Sequence, residues 1–128
     1  MSKPKILIGS PAFSGIQPEA QQSFMAMVFR CGRDLPQYDF AVKIETKREQ
    51  FRARNALVDA AIAADFTHLL MLDDDMIVPP DLLARLLAHD KDLVGALYWQ
   101  RGGAFHPVVM KAITLETGDF HPDYYAAS

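Results

Sequence analysis

Cysteine is almost absent from this sequence of 128 residues, with Cys31 as the single example. One thiol excludes an internal disulfide framework and a four-cysteine zinc site. Long apolar runs are also missing, because none approaches the roughly 20 residues of a membrane-spanning helix, and the first residues lack a signal-peptide core. These absences predict a cytoplasmic protein without a transmembrane segment.

The sequence also lacks a surplus of basic residues. Thirteen Lys and Arg against sixteen Asp and Glu leave a net charge of −3, which argues against duplex nucleic acid as a partner. A small anionic ligand needs only a few local cations and is compatible with this charge. Half of the residues are hydrophobic, which excludes a disordered chain and suits one folded domain. We predict a single domain over residues 1–116 and a tail over residues 117–128.

Strand-like and helix-like segments alternate along most of the chain. Short β-rich apolar runs predict strands, and the run before the three aspartates is expected to be a central one. Pro18 suits the first position of a helix, Thr46 and Glu49 match a capping box, and Pro79 precedes a Leu-rich helix. This order predicts an α/β fold with a mostly parallel sheet and helices on both faces. The predicted strands cover residues 5–9, 40–44, 67–72, 93–98 and 108–115.

Apolar residues at helical spacing predict which face each longer helix buries. The first helix is predicted to bury Phe24, Met27, Val28 and Cys31. The second helix, over residues 47–64, is predicted to turn one face inward that carries Phe51, Arg54, Asn55, Val58 and Ile62. On that face a cation and an amide interrupt an apolar stripe, and a half-buried cation needs a partner.

Three consecutive aspartates, Asp73, Asp74 and Asp75, follow the apolar run. Alternate residues of an extended chain point to the same side, so Asp73 and Asp75 are predicted to address one site while Asp74 points away. Oxygen-only ligands suit Mg²⁺ or Mn²⁺, which bind phosphate oxygens as well. Ligands of parallel sheets bind beyond the carboxyl ends of the strands. The alternative is a solvated strand end without a ligand, and we favour the binding site.

The second predicted helix begins after a strand, so its N-terminal part lies at this edge, and Arg54 is only about 10 Å along the helix axis from the start. Its guanidinium has two predicted partners: a phosphate, which it would bind with two parallel hydrogen bonds, or one of the three aspartates in a structural ion pair. The two roles are compatible, and the sequence gives them similar weight.

Several of these features, in this order, resemble the nucleotide-sugar half of family 2 glycosyltransferases of the GT-A fold, in particular short bacterial and phage-like members. The features are Arg54-Asn55 in an Ala-rich helix, the apolar run ending at Asp73-Asp74-Asp75, and the Pro79-Pro80 turn before a Leu-rich segment. The resemblance implies a nucleotide-sugar donor, an acceptor that is a glycan, lipid or protein, and Mn²⁺ or Mg²⁺ as cofactor. Self-association into a homo-oligomer is compatible with it.

The resemblance also implies roles for individual residues. Asp75 would ligate the cation on the diphosphate, and Asp73 would contact the ribose or the metal. Arg54 and Asn55 would hold the nucleotide, and Pro11 lies where the family's first loop borders base and ribose. A late histidine is often a metal ligand in this fold, which makes His106 a candidate, although a lone histidine is more often a surface residue.

The part that follows Asp75 is short for an acceptor-binding half, and no motif identifies a general base, so the catalytic residues are unassigned. Two other functions therefore stay open. One is a non-catalytic nucleotide-binding or structural module derived from a glycosyltransferase. The other, which the sequence favours less, is a phosphatase with an Asp-x-Asp motif, because such enzymes usually carry that motif on their first strand.

Overall fold

A computed structural model describes residues 3–96, 110–116 and 119–124. The chain divides into two compact units, Met1–Asp90 and Lys91–Ser128. The boundary falls inside the predicted domain of residues 1–116. None of the helices among the described residues combines the length and the apolar character that crossing a membrane requires.

Three strands in the first unit form an all-parallel sheet: β1 (Lys5–Pro11), β2 (Asp39–Glu45) and β3 (His68–Met71). Their order is β2-β1-β3, which confirms the predicted α/β fold with a parallel sheet. The prediction that the run over residues 67–72 is a central strand is wrong for the described sheet, in which β1 is central. The burial of the strands agrees with a central β1, since all but its first residue are buried, whereas the residues of β3 are half-buried or exposed.

The strand predicted over residues 93–98 is also not found in its described part. Residues 93–96 form no strand, and Leu93 is 92% exposed; residues 97 and 98 lie outside the described residues. An apolar run becomes a strand only where a neighbouring strand supplies backbone partners and side chains to pack against. The apolar character of this run was therefore an insufficient signal.

Helix α1 (Pro18–Asp34) begins at the predicted proline and buries the predicted face. Phe24, Met27 and Cys31 are buried, and Val28 packs against them. Helix α3 (Leu82–Leu87) adds Leu82 and Leu83 to the same cluster. Together these side chains cover the sheet face that carries Ile6 and Ile8.

Helix α2 (Gln50–Ala63) corrects the sequence prediction. Its buried residues are Ala53, Leu57 and Ala61, whereas Phe51 and Ile62 are 58% and 71% exposed. The helix lies against Gly9 of β1, where an added Cβ would come within 2.9 Å of a Leu57 methyl carbon. So close an approach is open only to small side chains and one leucine, and the bulkier residues are therefore turned outward.

The start of α2 also differs from the prediction. The N-cap residue is Glu49, with no side-chain capping hydrogen bond, so the predicted capping box of Thr46 and Glu49 does not form. Lys47 takes a left-handed backbone conformation with φ of 60°. That conformation redirects the chain between β2 and α2, and it accounts for a helix that starts three residues later than predicted.

The second unit contains an antiparallel pair, β4 (Met110–Glu116) and β5 (Asp119–Tyr124). Strand β4 agrees with the described part of the strand predicted over residues 108–115, since residues 108 and 109 lie outside the described residues. Strand β5 lies within the predicted tail, where no strand was expected, and Leu115 pairs with Phe120 and Glu116 with Asp119 across the short connection.

Candidate functional site

The loops that follow the three parallel strands meet at the carboxyl edge of the sheet. The Ala12 N–H donates to the Glu45 carbonyl oxygen at 2.8 Å, and the Lys47 N–H donates to that of Phe13 at 3.0 Å. These two bonds join the loop after β1 to the loop after β2. The loop after β1 also reaches the loop after β3, where the Gln17 N–H donates to the Asp74 carbonyl oxygen at 3.1 Å.

The sheet register decides which face the first aspartate takes. Gly9 pairs with Met71, and the Leu72 N–H donates to the Gly9 carbonyl oxygen at 2.9 Å. Side chains alternate between the two faces, so Asp73 falls on the face that Gly9 presents to α2. There the Arg54 Nη2 donates to the Asp73 Oδ1 at 2.9 Å. One of the two partners predicted for Arg54 is thus observed.

This ion pair is a surface feature. The side chains of Arg54 and Asp73 keep 47% and 35% of their area exposed, so water screens the interaction. Exposed pairs of this kind contribute roughly 0.2–1 kcal/mol, well below the 3–5 kcal/mol expected on breaking a buried pair. The pair is therefore a weak contributor to folding, and both side chains are open to a further ligand.

The position of the predicted residues on α2 also corrects the sequence analysis. Arg54 and Asn55 do not interrupt a buried stripe, because both are exposed. The Arg54 side chain extends to Asp73 at the sheet edge, and no side-chain hydrogen bond or ion pair joins Asn55 to another described residue.

The predicted metal ligands are only partly brought together. Asp73, Asp74 and Asp75 are all half-buried beside the sheet edge. Among residues 3–96, no three His, Cys, Asp or Glu side chains form a cluster that could hold a metal ion. A cation such as Mg²⁺ needs only one or two carboxylates when phosphate oxygens and water complete its shell, so the acidic side chains suit such an ion together with a diphosphate. His106 lies outside the described residues.

Pro11 ends β1 and is completely buried. The Ala12 N–H points to β2, so the backbone nitrogen of Pro11 points to the β3 side. The pairing of β1 with β3 ends at Gly9, so no β3 carbonyl needs a donor there. A proline without an N–H is therefore tolerated here in a central strand. Because the Pro11 side chain is buried, it shapes the loop and does not line an open surface.

Two serines at this edge were missed in the sequence analysis. The Ser23 hydroxyl donates to the Ala20 carbonyl oxygen at 2.9 Å and accepts the Val78 N–H at 3.2 Å, which ties α1 to the loop after β3. The Ser10 Oγ is buried and has no hydrogen-bond partner within the described part of the chain. Such a group is uncommon in native proteins. The only signal in the sequence was a serine directly after an apolar strand.

Comparisons with protein-family models, with curated proteins and with solved structures returned no match to this chain. The resemblance to family 2 glycosyltransferases consequently rests on the residues and their order alone.

Proposed function

We propose that this chain binds the diphosphate of a nucleotide sugar at the carboxyl edge of β1, β2 and β3, as the donor-binding part of a glycosyltransferase-like enzyme. The observation that carries the proposal is the contact between Arg54 and Asp73 at this edge, on a partly exposed surface where the loops after all three strands are hydrogen-bonded together. A cation and a carboxylate held side by side provide one group for phosphate oxygens and one for a cation or a hydroxyl.

The role of Arg54 follows from its donors. The contact with Asp73 uses Nη2, and a guanidinium has five N–H groups in a planar fork, so others are left to donate to a phosphate. Negative charge grows on the diphosphate as the sugar leaves, and a fixed cation beside it stabilises that charge. Asp73 holds the guanidinium in place before the nucleotide arrives, which lowers the entropy cost of binding.

The acidic side chains would hold Mg²⁺ or Mn²⁺, with Asp75 as the ligand and Asp73 as the residue shared with Arg54. A bound cation supplies a Lewis acid for the leaving diphosphate. Asp74 has a different role, because its backbone carbonyl, which accepts the Gln17 N–H, joins two loops.

A titration of Arg54→Met with UDP-, GDP-, CMP- and dTDP-sugars in the presence of Mn²⁺ tests the proposal. Affinity for the preferred donor should fall by about 1.5–3 kcal/mol, the range for a hydrogen bond to a charged group. The free energy of unfolding of the free protein should change by no more than about 1 kcal/mol, because the ion pair is exposed. Arg52→Met is the matched control, since Arg52 is on the same helix and lies over the Phe51 ring.

The metal is tested in the same titrations. Asp75→Asn should abolish the part of the affinity that depends on Mn²⁺, whereas Asp74→Asn should keep it, because the substitution leaves the Asp74 backbone carbonyl intact. If no nucleotide sugar binds to the unmodified protein with or without Mn²⁺, the proposal is wrong. Binding without any turnover of the donor would identify a non-catalytic nucleotide-binding module, and release of phosphate from a chromogenic ester would favour the phosphatase.

A further inference from the structure

The outer edge of β2 is open within the described part of the chain, because β2 pairs there only with β1. The Asp39 N–H donates to the Pro4 carbonyl oxygen, and the Glu45 carbonyl oxygen accepts the Ala12 N–H. Backbone groups of a strand point alternately to its two sides. The N–H and C=O groups of Phe40, Val42 and Ile44 therefore point outward, away from β1.

An apolar groove runs along this edge. It has a volume of about 280 Å³ and lies between α1 and β2. Val42 and Ile44 are each 45% exposed in it, and Phe29 of α1 is 71% exposed. An open strand edge beside exposed apolar side chains is a template for pairing with another strand.

We propose that this edge is a dimer interface, in which β2 pairs antiparallel with β2 of a second copy of this chain about a two-fold axis through Ala41. This arrangement joins the two three-stranded sheets into one continuous sheet. Phe40 faces Val42 of the second copy, and these residues exchange backbone hydrogen bonds because both point outward. The axis is perpendicular to the sheet, so α1 of both copies covers the same face and the two apolar grooves adjoin.

The charges on β2 select this register. With the axis at Ala41, Asp39 faces Lys43 of the second copy, and the symmetry repeats the pair. These are non-hydrogen-bonded positions, where opposite Cα atoms are only about 4.5 Å apart and opposite charges attract. The Lys43 Nζ lies 3.2 Å from the Glu45 Oε1 and its side chain is 44% exposed, so the Lys43 side chain is accessible to a partner.

Moving the axis toward the C-terminal end of β2 places like charges together. With the axis at Val42, Asp39 would face Glu45 of the second copy, and with the axis at Lys43 the two lysines would face each other. Like charges directly opposite each other are destabilising. This complementarity identifies the occupant as a second copy of this chain. Asp39 and Lys43 both lie on β2, so an antiparallel copy supplies an oppositely charged partner for each of them.

Sedimentation velocity of the full chain over a range of concentrations tests the interface. We expect a monomer–dimer equilibrium. Lys43→Asp alone, or Asp39→Lys alone, should raise the dissociation constant of the dimer at least about tenfold, because each change places two pairs of like charges across the axis. Equimolar mixing of the two single variants should restore the dimer, since each charge then faces its opposite. The pair of changes in one chain should restore it as well. Urea unfolding of each variant checks that the fold persists.

A cross-link provides an independent reading of the register. The two Ala41 residues meet on the axis at a Cα separation suited to a disulfide, so Ala41→Cys should form a covalent dimer under mild oxidation. Cys31 is buried and should leave the unmodified protein without a cross-link. A chain that is monomeric at every concentration would overturn the proposal and leave the groove to another partner. So would a dimer that the single charge changes do not weaken, or one that they weaken and that mixing the variants does not restore.

Discussion

Helices α1 and α2 differ in how their sequences relate to their packing. Both carry apolar residues at helical spacing, and in α1 the predicted face, with Phe24, Met27 and Cys31, is the buried one. In α2 the predicted face is turned outward, and the buried face is Ala53, Leu57 and Ala61. The residues that the helical spacing singles out are mostly buried in α1 and exposed in α2.

The sheet explains this difference. On the α1 side β1 presents Ile6 and Ile8, and large side chains of the helix fill the space between helix and strand. On the α2 side β1 presents Gly9, and the helix comes close enough for Leu57 to fill the space that a Cβ would take. Helical periodicity shows that a helix has a buried face, but the distance to the partner element decides which side chains fit there.

Truncation of Leu57 is expected to have the largest effect on stability. Leu57 is completely buried, so Leu57→Ala should lower the free energy of unfolding by about 2–5 kcal/mol, through lost burial and the cavity that remains. Val58 is the next residue and belongs to the face predicted to be buried, but it is 38% exposed. Val58→Ala should therefore cost less than about 1 kcal/mol. Urea unfolding measures both changes. Equal losses in the free energy of unfolding would support the face predicted from the sequence instead.

Enlargement of Gly9 should have the next largest effect. Gly9→Ala places a methyl group 2.9 Å from one Leu57 methyl carbon and 3.0 Å from the other, and the Leu57 side chain is completely buried. Overpacking of this kind costs about 1–3 kcal/mol. Gly32→Ala is the matched control on α1, where an added Cβ meets nothing within 4 Å, and it should stabilise the protein by about 0.5–1 kcal/mol.

The two changes on the α2 side can be combined. If Gly9 and Leu57 compete for one space, the double variant should be more stable than the sum of the single losses predicts, because the new methyl group partly fills the cavity. Additive losses would mean that the helix does not approach β1 as closely as the structure indicates.

The sequence was sufficient for the features that depend on neighbouring residues along the chain. Three features were predictable: the apolar run of β1, the proline at the start of α1, and the alternation of strands and helices that gives a parallel sheet. The central position of β1 was not, because strand order depends on pairing between distant segments. The placement of Arg54 beside Asp73 was foreseen as one of two outcomes, since both lie at the carboxyl edge, but the exposure of the pair depends on how α2 rotates against Gly9.

The smallest predicted effect concerns the ends of the two helices. The last turn of α1 contains charged residues, whereas α2 has no basic residue there. The hydrogen bond from Arg33, with a second from Arg30, lowers the pKa of Asp34 from 3.8 to about 2. Both Arg Nε atoms lie 2.8 Å from its carboxylate oxygens. These cations offset a carboxylate at the helix C-terminus, where the helix dipole disfavours negative charge.

Because the folded-state pKa of Asp34 is depressed, its stabilising contribution is complete above the unfolded-state pKa of about 4 and is lost as the pH falls through about 2. Asp34→Asn should therefore lower the urea midpoint at pH values above about 4, and the difference from the unmodified protein should shrink steadily between about pH 4 and pH 2. Asp59→Asn on α2 is the control, since Asp59 is exposed and makes no ion pair with another described residue. A deficit of Asp34→Asn that stays constant over this pH range would show that the side-chain charge does not stabilise the end of α1.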